Sequence, residues 1–119
     1  MIDIWASEGK DSFQRALEAI TLSRLGGDMR TRLEATVRGL VQGVFFRHYT
    51  RQIAQELGIL GTVANQPDGT VFVTAEGSQE DVNKLLEWLK RGPELARVDH
   101  VVVDWSKPLG QTHDFTILR

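Results

Sequence analysis

Gly39-Leu40-Val41-Gln42-Gly43-Val44-Phe45-Phe46-Arg47 separates two kinds of periodicity. Ahead of it, Leu33-Glu34-Ala35-Thr36-Val37-Arg38 alternates apolar and polar residues, the period of a half-buried strand. Behind it, Phe46, Tyr49, Thr50, Ile53, Ala54 and Leu57 recur at the spacing of one helix face. The stretch is therefore a loop between a strand and a helix. Its glycines let the backbone turn with few steric limits and let a ligand come close. Successive N–H groups in such a turn converge into an anion-binding nest. The helix N-terminus adds unpaired N–H groups and a partial positive charge. Arg47, in the first helical turn, adds a planar fork of donors matched to phosphate oxygens. Together these parts suit a phosphate, though a glycine loop between strand and helix also serves as a plain connection. It is not a Walker loop, because no Gly-Lys-Ser or Gly-Lys-Thr follows, and it lacks the third glycine of the dinucleotide fingerprint.

Further along, residues 59–65 read as a second strand and residues 70–76 as a third. Between them Gln66-Pro67-Asp68-Gly69 is a turn, so the pair is an antiparallel hairpin. Asn65 falls at the strand end, where taken alone it reads as a turn former bonded to its own backbone. Ser78 with Asp81 caps a second helix, whose buried stripe is Val82, Leu85, Leu86 and Leu89, with Trp88 at its edge. Gly92-Pro93 stops it. Residues 98–105 form a fourth strand and residues 113–118 a short last one. The order is βαββαβ plus a terminal strand. Thr50 lies on the buried side of the first helix, where its hydroxyl bonds back to the backbone. His48 reads as a solvated surface residue pointing away from Arg47.

Residues 1–28 stand apart as an N-terminal extension to a domain of residues 29–119. Asp11 with Gln14 resembles a capping box, and Phe13, Ala16, Leu17 and Ile20 repeat at helical spacing before Gly26-Gly27. This short amphipathic helix is read as an appendage with no part in the chemistry. Met29 is placed to serve as an alternative start.

The length of 119 residues implies one domain, and 41% hydrophobic with 25% charged residues is ordinary for a globular chain. A net charge of −2 provides no basic field for nucleic acid. The chain has no cysteine, which excludes thiol chemistry and disulfides and fits a reducing cytoplasm. No apolar run approaches the ~20 residues of a membrane span, and the N-terminus lacks the features of a signal peptide. His48, His100 and His113 lie on different elements without metal-ligand spacing, so no metal is expected.

The stretch from Gly39 to Arg47, with Leu57-Gly58-Ile59-Leu60-Gly61, Val63-Ala64-Asn65 and Asp68-Gly69, resembles the acylphosphatase family. The segment Val41-Gln42-Gly43-Val44 followed by Phe46-Arg47 is the most specific part, and the likeness runs from about Arg32 to Arg119. The resemblance implies a ferredoxin-like α/β (α+β) sandwich, an antiparallel sheet with two helices on one face. It implies hydrolysis of acyl phosphates, with the phosphate held by Gly39, Leu40, Val41, Gln42, Gly43, Val44, Phe45 and Arg47. It implies that Asn65 positions the attacking water, so Arg47 and Asn65 are the catalytic pair. No cofactor is implied. The partners are a small acyl phosphate and inorganic phosphate, as product and inhibitor, with no nucleic acid and no membrane; the chain is expected to be a cytoplasmic monomer. Thr62 stands where many members carry an aromatic residue, and Ala64 where a basic one is common. Both departures bear on packing and substrate preference rather than on the reaction.

The residue inventory agrees with that chemistry. An acyl phosphate leaves as a carboxylate whose conjugate acid has a pKa of roughly 4, so no general acid is needed. A site of donors and one amide can suffice, whereas a phosphate monoester would need its alkoxide protonated. Alternatives in other classes are weaker. An RNA-binding domain of the same strand order needs an aromatic platform, and the central strands hold only Phe72. A phosphate sensor without turnover, and the acylphosphatase-like domain of a carbamoyl-transfer maturation factor, complete the alternatives. In the latter the domain precedes cysteine-rich zinc modules.

Overall fold

The computed structural model describes Ile2–Asp3 and residues 29–119. The helix read over residues 11–25 lies outside the described residues. The first expected strand runs as β2 (Arg30–Leu40), after a two-residue β1 (Ile2–Asp3) that the sequence does not signal. Helix α1 (Phe46–Glu56) follows the loop, then β3 (Leu60–Asn65) and β4 (Val71–Ser78). Helix α2 (Gln79–Arg91), β5 (Arg97–Ser106) and β6 (Phe115–Leu118) complete the chain.

The sheet order is β1-β5-β2-β4-β3-β6. Strands β5, β2, β4 and β3 pair antiparallel, as expected, and β1 joins β5 in the same sense. Strand β6 pairs with β3 in parallel, so the whole sheet is mixed. The direction follows from the path. β5 ends beside the start of β2, and residues 107–114 then cross that end of the sheet to the opposite edge. A strand starting there must run opposite to β5, which is the direction of β3. Glu76 pins the crossing: its carboxylate accepts from Leu109 N–H and Gly110 N–H, each at 3.1 Å, and from Arg32 Nη1 at 2.8 Å.

Both helices cover one face. Leu33, Ala35, Val37, Val71, Val73, Val101 and Val103 point there and are fully buried. α1 packs over β3 and β6, and α2 over β2, β4 and β5. From α1 the core takes Phe46, Thr50 and Ala54; the Thr50 hydroxyl donates to Phe46 O at 2.7 Å, which satisfies it. From α2 it takes Val82, Leu85, Leu86 and Leu89, and Ser78 Oγ accepts from Asp81 N–H at 3.1 Å as the cap. Leu57 is the C-cap of α1, one residue before the expected Gly58. Phe46 and Trp88 join the helices, ring centroids 5.5 Å apart. The substituted Thr62 is accommodated by a hydroxyl pair, Thr62 Oγ1 to Thr74 Oγ1 at 2.7 Å.

One strand irregularity shapes the site. The β2–β5 register shifts between Arg38 and Gly39, where Gly39 opposes Val98 and Arg38 opposes His100. Gly39 has φ 136°, and a Cβ there would stand 2.1 Å from Arg97 O. Only glycine lets β5 close so tightly on the strand that leads into the loop.

Candidate functional site

The loop between β2 and α1 alternates the sign of φ. Gly43 has φ 74° and Phe45 φ 63°, while Val44 between them is not among the positive-φ residues. Such alternation turns successive N–H groups toward one point, the geometry of an anion nest. Phe45, the N-cap of α1 at φ 63°, ψ 22°, gives no side-chain cap. A bulky aromatic in the left-handed region is an outlier that costs roughly 1–3 kcal/mol, held by its surroundings. The helix ladder opens with Tyr49 N–H to Phe45 O at 3.1 Å. Among the described residues, the N–H groups of Gly43, Val44 and Phe45 have no acceptor.

Gly43 and Phe45 belong to a pocket of about 260 Å³ lined also by Val41, Phe46, Arg47, His48, Asn65, Ile117 and Arg119. Arg47 is half-buried and Asn65 exposed at the end of β3. Neither side chain makes a hydrogen bond or ion pair with another described residue. Among the described residues, no Asp or Glu lines the pocket, while two arginines do. The arrangement can bind an anion on backbone donors and a guanidinium, with a free amide beside it.

Asn65 does not form the neighbouring turn. That turn is built by Asp68, which accepts from Thr70 Oγ1 at 2.6 Å and Thr70 N–H at 3.0 Å, and by Gly69 N–H to Gln66 O at 3.1 Å. The hydroxyl and N–H of Thr70 hold the Asp68 carboxyl below the usual aspartate range.

The residues expected at the phosphate are divided by the structure. Gly39 and Leu40 belong to β2 and pair with β5. Val41 lines the pocket but is 1% exposed. The Gln42 side chain turns to the hairpin, its Nε2 donating to Gln66 O at 2.8 Å and Thr70 O at 2.9 Å. It thus ties the loop to the turn that follows Asn65. Val44 is not among the residues that line this pocket and lines a neighbouring concavity instead, which leaves its backbone N–H as its means of meeting the phosphate. Four lining residues were not anticipated at the site: Phe46, which is otherwise buried in the core, and three more. His48, read as pointing away, stands at the pocket mouth because the first helical turn fans around the site; its ring meets Tyr49 edge-on at 5.2 Å. Ile117 arrives on β6 and Arg119 just after it, and no local pattern reveals the parallel course of that strand.

A family model described as Acylphosphatase matches residues 33–117. An acylphosphatase of Acaryochloris marina is 49% identical over 87 residues, 73% of this chain and 92% of the relative. The crystal structure of acylphosphatase from Bacillus subtilis superposes with a TM-score of 0.72 at 31% identity, covering 75% of this chain and 99% of that one. Full-length HypF contains a similar fold, with a TM-score of 0.71 at 27% identity, but only 12% of that protein is covered against 77% of this chain.

Proposed function

The chain belongs to the acylphosphatase family, and from that premise we propose how it hydrolyses acyl phosphates to a carboxylate and inorganic phosphate. The phosphate sits on the N–H groups of Gly43, Val44 and Phe45 and on the Arg47 guanidinium. These donors are preorganised for charge that spreads over the equatorial phosphoryl oxygens in the transition state. Asn65 orients water on the opposite side from the leaving carboxylate. That carboxylate departs unprotonated, so His48 has no acid to supply. The reading keeps the expectation of a cytoplasmic monomer.

The observation that carries this reading is the convergence of a sign-alternating loop with an arginine and an amide that have no partners among the described residues. Hydrolysis of benzoyl phosphate in the presence of a chelator tests it. Turnover should persist, and inorganic phosphate should inhibit competitively. Activity lost with the chelator and restored by a divalent ion would refute it.

A further inference from the structure

A second concavity lies between the phosphate loop, α1 and the end of α2. It has a volume of about 390 Å³ and is lined by Val44, Phe45, Tyr49, Ile53, Trp88 and Leu95, with Glu94 at its rim. That size is in the range of small-ligand sites. Phe45 is 67%, Leu95 66% and Tyr49 43% exposed, so the wall presents apolar surface to solvent. The apolar stripe of α1 is wider than its core contact: Phe46, Thr50 and Ala54 bury, while Tyr49 and Ile53 turn to this groove.

From these placements we infer that the groove is the subsite for the acyl group of the substrate, and that it favours uncharged apolar acyl groups. The inference rests on the hydrolytic reading above. Phe45 lines both concavities and is 67% exposed, so the groove adjoins the phosphate pocket across its ring. The two lie on opposite flanks of the α1 N-terminus. Asn65, Ile117 and Arg119 reach the pocket from β3 and from β6 with the residue after it, whereas Trp88 and Leu95 reach the groove from α2 and its exit. In-line displacement sends the leaving group away from the attacking water. Water on Asn65 therefore directs the acyl carboxylate across Phe45 toward the groove. Glu94 at the rim repels an acyl group that carries its own carboxylate.

The test compares kcat/KM for benzoyl phosphate and acetyl phosphate in the full chain and in Leu95→Asp, Tyr49→Ser and Leu95→Met, each checked by circular dichroism. Leu95 and Tyr49 are exposed enough for both polar variants to fold. The benzoyl-to-acetyl ratio should fall roughly ten-fold in Leu95→Asp and Tyr49→Ser, the scale of discrimination set by one apolar contact, and return in Leu95→Met. A ratio unchanged in both polar variants overturns the groove alone. If the unsubstituted chain turns over neither substrate, the hydrolytic reading falls, and the groove with it.

Discussion

Phe45 concentrates the tension between stability and function. Its left-handed backbone aims the loop N–H groups inward, and its ring stands between pocket and groove. Nothing in the sequence marks this, because an aromatic residue has no preference for that region. Gly43, at φ 74° with open space around a Cβ, was legible, since glycine is the default there. Gly43→Ala should therefore cost about 1–2 kcal/mol in urea unfolding, from the backbone alone. Arg47 was legible from its place in the first helical turn. His48 is a contrast at the same mouth. A carboxylate leaving group needs no proton, so His48→Gln should keep kcat for benzoyl phosphate within about three-fold, far below the 10²–10⁴-fold of a general acid. A loss on the larger scale would restore His48 as a proton donor.

Two side chains connect elements in ways that periodicity cannot show. Gln42 bonds two carbonyls of the β3–β4 turn and so sets the distance between loop and Asn65. Gln42→Leu should lower stability by about 1–2 kcal/mol and kcat by up to ~10²-fold, because a small misplacement near the reacting atoms is enough. Phosphate inhibition should weaken far less, which a comparison of kcat with the phosphate inhibition constant would reveal. Glu76 fastens the segment between β5 and β6. Burial pushes its carboxyl up, but the N–H groups of Gly110 and Leu109 and the Arg32 guanidinium outweigh that and hold it below the ordinary glutamate range. A group with its pKa lowered in the folded state contributes stability that is present above its unfolded value, about 4.3, and lost as pH falls through the folded one. Urea midpoints should therefore drop on acidification below about pH 4.3. Glu76→Gln offers one acceptor oxygen where two N–H groups converge. It should lose about 1–3 kcal/mol at neutral pH and much of that acid dependence.

Across the whole molecule, what was legible is what neighbouring residues determine. Strands, helices, the hairpin and both stops follow from alternation, helical spacing and turn residues. The edges are different: β6 runs parallel to β3 because of where the crossing segment ends, and β1 adds to β5 from residues far away in sequence. The site inherits this limit. The loop, Arg47 and Asn65 were named from the chain, while Arg119 depends on the course of β6. β1 pairs Ile2 with Val103, away from the pocket, so deleting residues 1–28 should leave turnover per folded molecule within about two-fold while exposing the β5 edge.

The central claim is that Arg47 holds the phosphate and Asn65 the water. It is tested most directly by measuring kcat for benzoyl phosphate together with the inhibition constant of inorganic phosphate in Arg47→Gln and Asn65→Ala. Arg47→Gln should weaken phosphate inhibition roughly ten-fold or more and lower kcat as well, since a charge-assisted contact is lost in both bound states. Asn65→Ala should lower kcat by ~10²–10³-fold, as for the loss of one oxyanion donor, with the phosphate inhibition constant nearly unchanged. Loss of phosphate binding in Asn65→Ala, with binding retained in Arg47→Gln, would contradict the assignment.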